Sequence, residues 1–130
     1  MIVIDASAAI ELVLGTLRGH RIMGRVLRPN ERLHAPHLID LEVAQVFRRY
    51  VASGAVSIDR GDQALEDWLG LPVDRYPHDL LLPRIWELRH NATAYDASYL
   101  ALAEVLDAPL VTCDRRLASV PGQSAVVEVF

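Results

Sequence analysis

The stretch Met1-Ile2-Val3-Ile4-Asp5-Ala6-Ser7-Ala8 and its counterpart Leu110-Val111-Thr112-Cys113-Asp114-Arg115-Arg116-Leu117 share one pattern. Each is a short apolar run ending on an aspartate, followed by residues that can start a helix. Apolar runs this short read as strands buried on both faces. Working outward from the first, Ala6–Leu14 reads as a helix closed near Gly15, and Leu17–Arg28 as a second that stops before Pro29. Leu33–Ala35 is a short strand. His37–Ser53 is a long helix with Gly54 at its end, and Ser57–Leu69 follows with Ser57 as N-cap. Val73–Tyr76 is a strand, Leu81–His90 and Ala94–Leu106 are helices, and Leu110–Cys113 is a strand. Arg115–Ala118 forms a short helix, and Ala125–Phe130 closes the chain as a strand. Strands alternating with helices imply a parallel sheet covered on both faces. In such sheets ligands gather beyond the carboxyl ends of the strands, where Asp5 and Asp114 fall.

The 130 residues suit a single domain, with no repeat or linker to divide it. Hydrophobic residues make up 52% of the chain, enough for a core without disulfides. The lone Cys113 cannot bridge internally, and its strand-like setting reads as a buried small residue. No signal peptide is evident, and no apolar run reaches the ~18 residues that span a bilayer. A soluble protein of the reducing cytoplasm, with no membrane partner, is the expectation.

Net charge is −4, which by itself argues against a nucleic-acid partner; bound cations would reverse that if the acids converge. All 13 basic residues are arginine. The absence of lysine excludes receiver-type phosphorylation, which needs one, and disfavours haloacid-dehalogenase-type phosphatase chemistry. The latter also needs a second aspartate where Ala6-Ser7 stands. Gly15, Gly19 and Gly24 lack the spacing of a phosphate-binding glycine loop.

The acids carry the remaining chemistry. Asp5 and Asp114 can each be explained as helix N-caps, and Asp96 as a first-turn acid favoured by the helix dipole. Glu42 is harder to explain structurally. It lies among Leu38, Ile39, Leu41, Val43, Val46 and Phe47, so it needs a partner, with Arg49 two turns along the candidate, or a polar pocket. Caps would be served equally by Ser, Thr or Asn, yet all four positions hold carboxylates. Converging carboxylates repel unless a cation offsets them, and an oxygen-only set suits Mg2+ or Mn2+. Zinc is disfavoured, because there is no cysteine pair and the five histidines show no i, i+4 pairing.

Four blocks then resemble a PIN-domain ribonuclease, specifically the VapC-type toxins of type II toxin–antitoxin pairs: Val3-Ile4-Asp5-Ala6-Ser7-Ala8; Ala35-Pro36 through Leu38 to Glu42-Val43-Ala44 with Arg48 and Arg49; Thr93-Ala94-Tyr95-Asp96-Ala97 continuing as Tyr99-Leu100-Ala101-Leu102-Ala103; and Leu110 through Leu117. The resemblance implies a three-layer α/β/α sandwich with a central parallel sheet. It implies that Asp5, Glu42, Asp96 and Asp114 form the acidic quartet around one or two divalent metals, Mg2+ with Mn2+ as substitute. Asp5 and Asp96 are then the leading ligands and Asp114 the next, while Glu42 acts through water or orients the nucleophile. Ser7 and Thr112 match supporting hydroxyls. The implied activity is endonucleolytic hydrolysis of RNA, restrained by a cognate antitoxin, in a homodimer.

RNA also needs a basic track. Arg18, Arg21, Arg25 and Arg28 recur at helical spacing and would make a stripe, which an ordinary solvated helix face explains equally well. Arg115 and Arg116 follow Asp114 directly and could meet phosphate or an acidic antitoxin tail. The segments Ile10–Leu14 and Leu33–Phe47 could supply apolar dimer contacts. The reading from another class is a catalytically silent scaffold of the same fold that binds RNA or protein.

Overall fold

The computed structural model describes residues 1–130. Strand β1 (Ile2–Ile4) leads into helices α1 (Ala6–Leu14) and α2 (Leu17–Val26), then β2 (Leu33–Pro36). Helices α3 (Ile39–Ala52) and α4 (Ile58–Gly70) precede β3 (Val73–Tyr76). After α5 (Leu82–Glu87) and α6 (Ala94–Leu106) come β4 (Leu110–Thr112) and β5 (Val127–Val129). The sheet is parallel throughout, in the order β3-β2-β1-β4-β5. The chain first builds leftward from β1 and then jumps back over it to β4. Right-handed crossovers therefore put α1–α4 on one face and α5–α6 on the other, the expected three-layer sandwich. The packing agrees: α1 touches α2, α3 and α4, while α6 touches α5, β1, β2 and β4.

β1 is fully buried, with Ile2, Val3 and Ile4 all at 0% exposure, as a central strand covered on both faces must be. In α6 every residue from Ala97 to Ala103 is buried, so its small residues let the helix lie close on the sheet. Several boundaries differ from the sequence expectation, for local reasons. His37 donates its amide to the Tyr76 carbonyl at 2.8 Å, which keeps it with the sheet and delays α3 to Ile39. The expected helix 81–90 is a 3-10 turn (Asp79–Leu81) followed by six residues of α5. Pro83, lacking an amide, is tolerated only in the opening turn and fixes where that helix starts. α2 ends at Val26, and β5 is an edge strand of only three residues.

The segments expected to supply dimer contacts spend their apolar side chains internally: Ile10, Leu12, Leu33, Ala35, Ile39, Val43 and Phe47 all belong to the core. Only Leu41, 76% exposed, remains outward among their large apolar residues. No helix is long and apolar enough to cross a membrane.

Candidate active site

β1 and β4 lie side by side at the point where the strand order reverses, with Val3 beside Leu110 and Ile4 beside Val111. One residue beyond that pairing stands Asp5, and its backbone amide still donates to Val111 O at 3.2 Å. Asp5 Oδ1 accepts from the Ala8 amide at 2.9 Å, capping α1, and from the Ser7 hydroxyl at 2.7 Å. Oδ2 accepts from Thr112 Oγ1 at 2.5 Å. The two hydroxyls in turn accept from β4: Cys113 N reaches Ser7 Oγ and Asp114 N reaches Thr112 Oγ1, each at 2.9 Å. Ser7 and Thr112 thus stitch the two strand ends around one carboxylate. Burial pushes the Asp5 carboxyl above its ordinary range; the hydrogen bonds resist, and nearby Asp114 adds to the rise. Cys113, expected in the interior, is instead half-buried on the wall of the site.

Glu42 projects from the first turn of α3, where the helix dipole favours an acid. Its partner is the Tyr99 hydroxyl, which donates to Oε2 from α6, and not Arg49. Burial raises the Glu42 carboxyl, the Tyr99 bond lowers it, and the charges of Asp5 and Asp96 raise it further. Tyr99 itself is buried and held strongly toward its neutral form by burial and by Glu42. It sits 57 residues from Glu42 in the chain, so no local pattern signals the pair.

Asp96 occupies the first turn of α6, whose cap is the Thr93 hydroxyl accepting from the Asp96 amide at 3.1 Å. Its carboxylate acts electrostatically on both Glu42 and Arg116. Asp114 caps the 3-10 turn Arg115–Ser119 and is held well below its usual range by hydrogen bonds from the Arg116 side chain. The four acids therefore come from four separate chain segments to one end of the sheet.

They are gathered without forming a closed cage, for nowhere do three His, Cys, Asp or Glu side chains stand close enough to hold one ion as arranged. Three of the four are tied to neighbours instead, Asp5 to hydroxyls, Glu42 to Tyr99 and Asp114 to Arg116, while the Asp96 carboxylate has no side-chain partner. The donor chemistry nonetheless fits a hard divalent cation. It is all oxygen, and the two raised carboxyls each feel the charge of other acids at the site, Asp5 that of Asp114 and Glu42 those of Asp5 and Asp96.

A groove of about 800 Å³ opens beside the acids, lined by two of the four, Glu42 and Asp114, with Tyr95 and the arginines 18, 49 and 116 among others; Asp5 and Asp96 lie outside its lining. The expected stripe on α2 does not hold as a unit. Arg18 reaches the groove, but Arg25 turns to the sheet edge and bonds Glu128 (2.7 and 3.1 Å) and Glu31 (2.9 Å), so it is not available to RNA. Arg21 lies over the Phe130 ring at 6.0 Å. Arg28 and Arg115 are exposed and outside the groove lining. Arg49, singled out only as a partner for Glu42, lines the groove in its own right.

The PIN domain is the protein class this edge and fold define: its family model matches residues 2–123, and the chain belongs to that family. It is similar to VapC ribonuclease Mb0985 of Mycobacterium bovis, 46% identical over 118 residues that cover 91% of this chain and 89% of the relative. It is similar also to ribonuclease VapC12 of Mycobacterium tuberculosis, 41% identical over 129 residues, 99% and 98% of the two chains. Among solved structures, PAE2754 from Pyrobaculum aerophilum superposes with a TM-score of 0.68 at 28% identity, over 97% of this chain and 82% of that one. VapBC2 from Rickettsia felis, bound to a DNA fragment from their promoter, gives 0.72 over 100% and 99%; at 13% identity that likeness is one of fold.

Proposed function

We propose that this protein is a divalent-metal-dependent endoribonuclease, the toxin of a toxin–antitoxin pair. The observation that carries the reading is that Asp5, Glu42, Asp96 and Asp114 act on one another electrostatically near the strand-order reversal, beside a groove that also presents arginines. VapC ribonucleases 41–46% identical over nearly the whole chain support the same activity. Mg2+, with Mn2+ as substitute, is the cation this oxygen-only donor set fits.

Asp5 is the anchor ligand, because three hydrogen-bond donors fix both its oxygens before any substrate arrives. Asp96 and Asp114 complete the ligand set from α6 and β4, and Glu42, oriented by Tyr99, holds the attacking water. A divalent cation there supplies charge neutralisation and lowers the pKa of water, the two needs of phosphodiester hydrolysis. The arginines of the groove hold phosphate in line for attack. An acidic segment of an antitoxin would meet the same arginines, and a homodimer belongs to the proposal as well.

Cleavage of total RNA with Mg2+ or Mn2+ tests this reading, comparing wild type with Asp5→Asn and Asp96→Asn. Wild type is expected to cut only with the metal, and each variant to lose at least about a hundredfold in rate, the usual scale for removing a group that stabilises charge at the reacting phosphate. Variants that cut as well as wild type would refute the site; no cleavage under any metal would favour the silent scaffold.

A further inference from the structure

Two residues after Asp114, on the 3-10 turn, Arg116 folds back onto that carboxylate. Its Nε lies 3.0 Å from Oδ1 and 3.1 Å from Oδ2, and its terminal nitrogen 2.6 Å from Oδ2. The backbone amide of Arg116 separately holds Oδ1 at 2.9 Å, so the acid stays oriented whatever the guanidinium does. The Arg116 side chain as a whole is 85% exposed on the groove wall, with Asp96 also within its electrostatic reach. The other well-bonded arginines are committed elsewhere: Arg25 to Glu31 and Glu128, Arg84 to Glu87 and Glu104, and Arg75 to Asp40. Arg116 alone pairs with one of the four acids.

We propose that Arg116 is an exchangeable counter-ion, paired with Asp114 until a divalent cation takes that carboxylate and then turned into the groove onto the phosphate flanking the cleaved bond. This rests on the nuclease reading and goes beyond it. A cation and a guanidinium cannot use the same lone pairs of Asp114, so metal binding must displace the side chain. An exposed pair is cheaply exchanged. A guanidinium freed there keeps its planar donor fork, which matches the bidentate geometry of a phosphate. The device keeps charge at the site balanced: one cation enters as another moves outward to meet the incoming polyanion.

The exchange predicts opposite signs in two titrations of the full chain. Binding of Mn2+ alone, followed by electron paramagnetic resonance, tightens in Arg116→Gln by roughly two- to fivefold, the scale of one exposed charge pair. Binding of a short mixed-sequence single-stranded RNA, measured by fluorescence anisotropy with every acid intact and with Ca2+ in place of Mg2+ so that the site is filled without cutting, weakens in Arg116→Gln by a similar factor. A residue that merely props up the turn would weaken both. Unchanged or weaker Mn2+ binding in Arg116→Gln overturns the counter-ion role, and unchanged RNA binding overturns the transfer to phosphate. The single variant Asp5→Asn keeps the two claims apart: if it binds Mn2+ and cuts like wild type, the nuclease site itself is wrong, whereas if it loses both while Arg116→Gln behaves as wild type, only the exchange fails.

Discussion

The carboxylate of Asp5 caps a helix with one oxygen and receives the Thr112 hydroxyl on the other, at only 5% exposure. The structural and functional explanations of this aspartate hold together: a cap needs one acceptor oxygen, and a carboxylate has a second. Burial disfavours its charge, and the folded carboxyl titrates above the unfolded one. As pH rises through the unfolded and then the folded value, the unfolded chain gives up its proton first, so stability is lost across that interval. Asp5→Asn removes the cost while keeping an oxygen for Ala8 and Ser7. The metal-free variant is therefore expected to melt higher than wild type near neutral pH, by calorimetry, although its activity is lost. An equal or lower Tm would show that the hydroxyls already offset the buried charge in full. The sequence disclosed the oddity of Glu42 because an acid among Leu38, Val43 and Val46 is conspicuous; of its two explanations the arginine partner fails, while the polar pocket is the groove that Glu42 lines. Arg49 was near in sequence; Tyr99 is near only once α3 and α6 have packed.

Helices α1 and α2 meet through a glycine. A Cβ built on Gly19 would lie 1.9 Å from the Glu11 carbonyl oxygen, which is backbone and cannot give way. The short turn between them, with Gly15 at φ +65° and Thr16 capping α2, folds the second helix back tightly enough to bring Arg18 to the groove. Gly19→Ala is expected to cost about 1–3 kcal/mol in urea unfolding, as overpacking does. It should also push α2 outward and weaken RNA binding, whereas Gly24→Ala, with nothing within 4 Å, should leave both unchanged or slightly improved. Identical effects of the two would rule out the close approach. At this scale most elements were legible, since buried strands and capped helices announce themselves through apolar runs, Ser57, Gly15 and Pro29. The arginine spacing on α2 was legible too, but not its use. Whether Arg25 faces RNA or Glu128 depends on β5, whose carboxylate arrives 103 residues later to claim it.

Across the whole molecule the acids divide by the direction in which they are perturbed, and the two raised ones both lie at the site. Glu31 is lowered by the N-terminal amine and Arg25, and Glu104 by Arg84 and the Ser124 amide; both brace the periphery, Glu104 joining α5 and α6 to the loop before β5. Asp114 is lowered by Arg116. His34, buried on β2 with Nδ1 on the Tyr76 hydroxyl and Nε2 without a partner, is lowered by burial. Asp5 and Glu42, at the site, are raised. The lowered carboxyls contribute stability above their unfolded values, 3.8 for Asp and 4.5 for Glu, and lose it as pH falls through the folded ones. His34 acts in the same direction from higher up: below its unfolded 6.5 the unfolded chain takes a proton that the folded one resists. The raised pair works in the opposite sense, costing stability as pH climbs through their folded values. The urea midpoint of the metal-free protein is therefore expected to climb steeply from strong acid and then flatten or sag as Asp5 and Glu42 ionise. Divalent metal should restore the neutral side selectively, because it binds the folded site and leaves Glu31, Glu104 and His34 untouched. Glu104→Gln should flatten the acid limb, and Asp5→Asn should remove part of the sag. An acid limb unchanged by Glu104→Gln, together with a metal effect equal at all pH values, would mean that Glu104 and the raised pair Asp5 and Glu42 do not act in the opposed senses their surroundings describe.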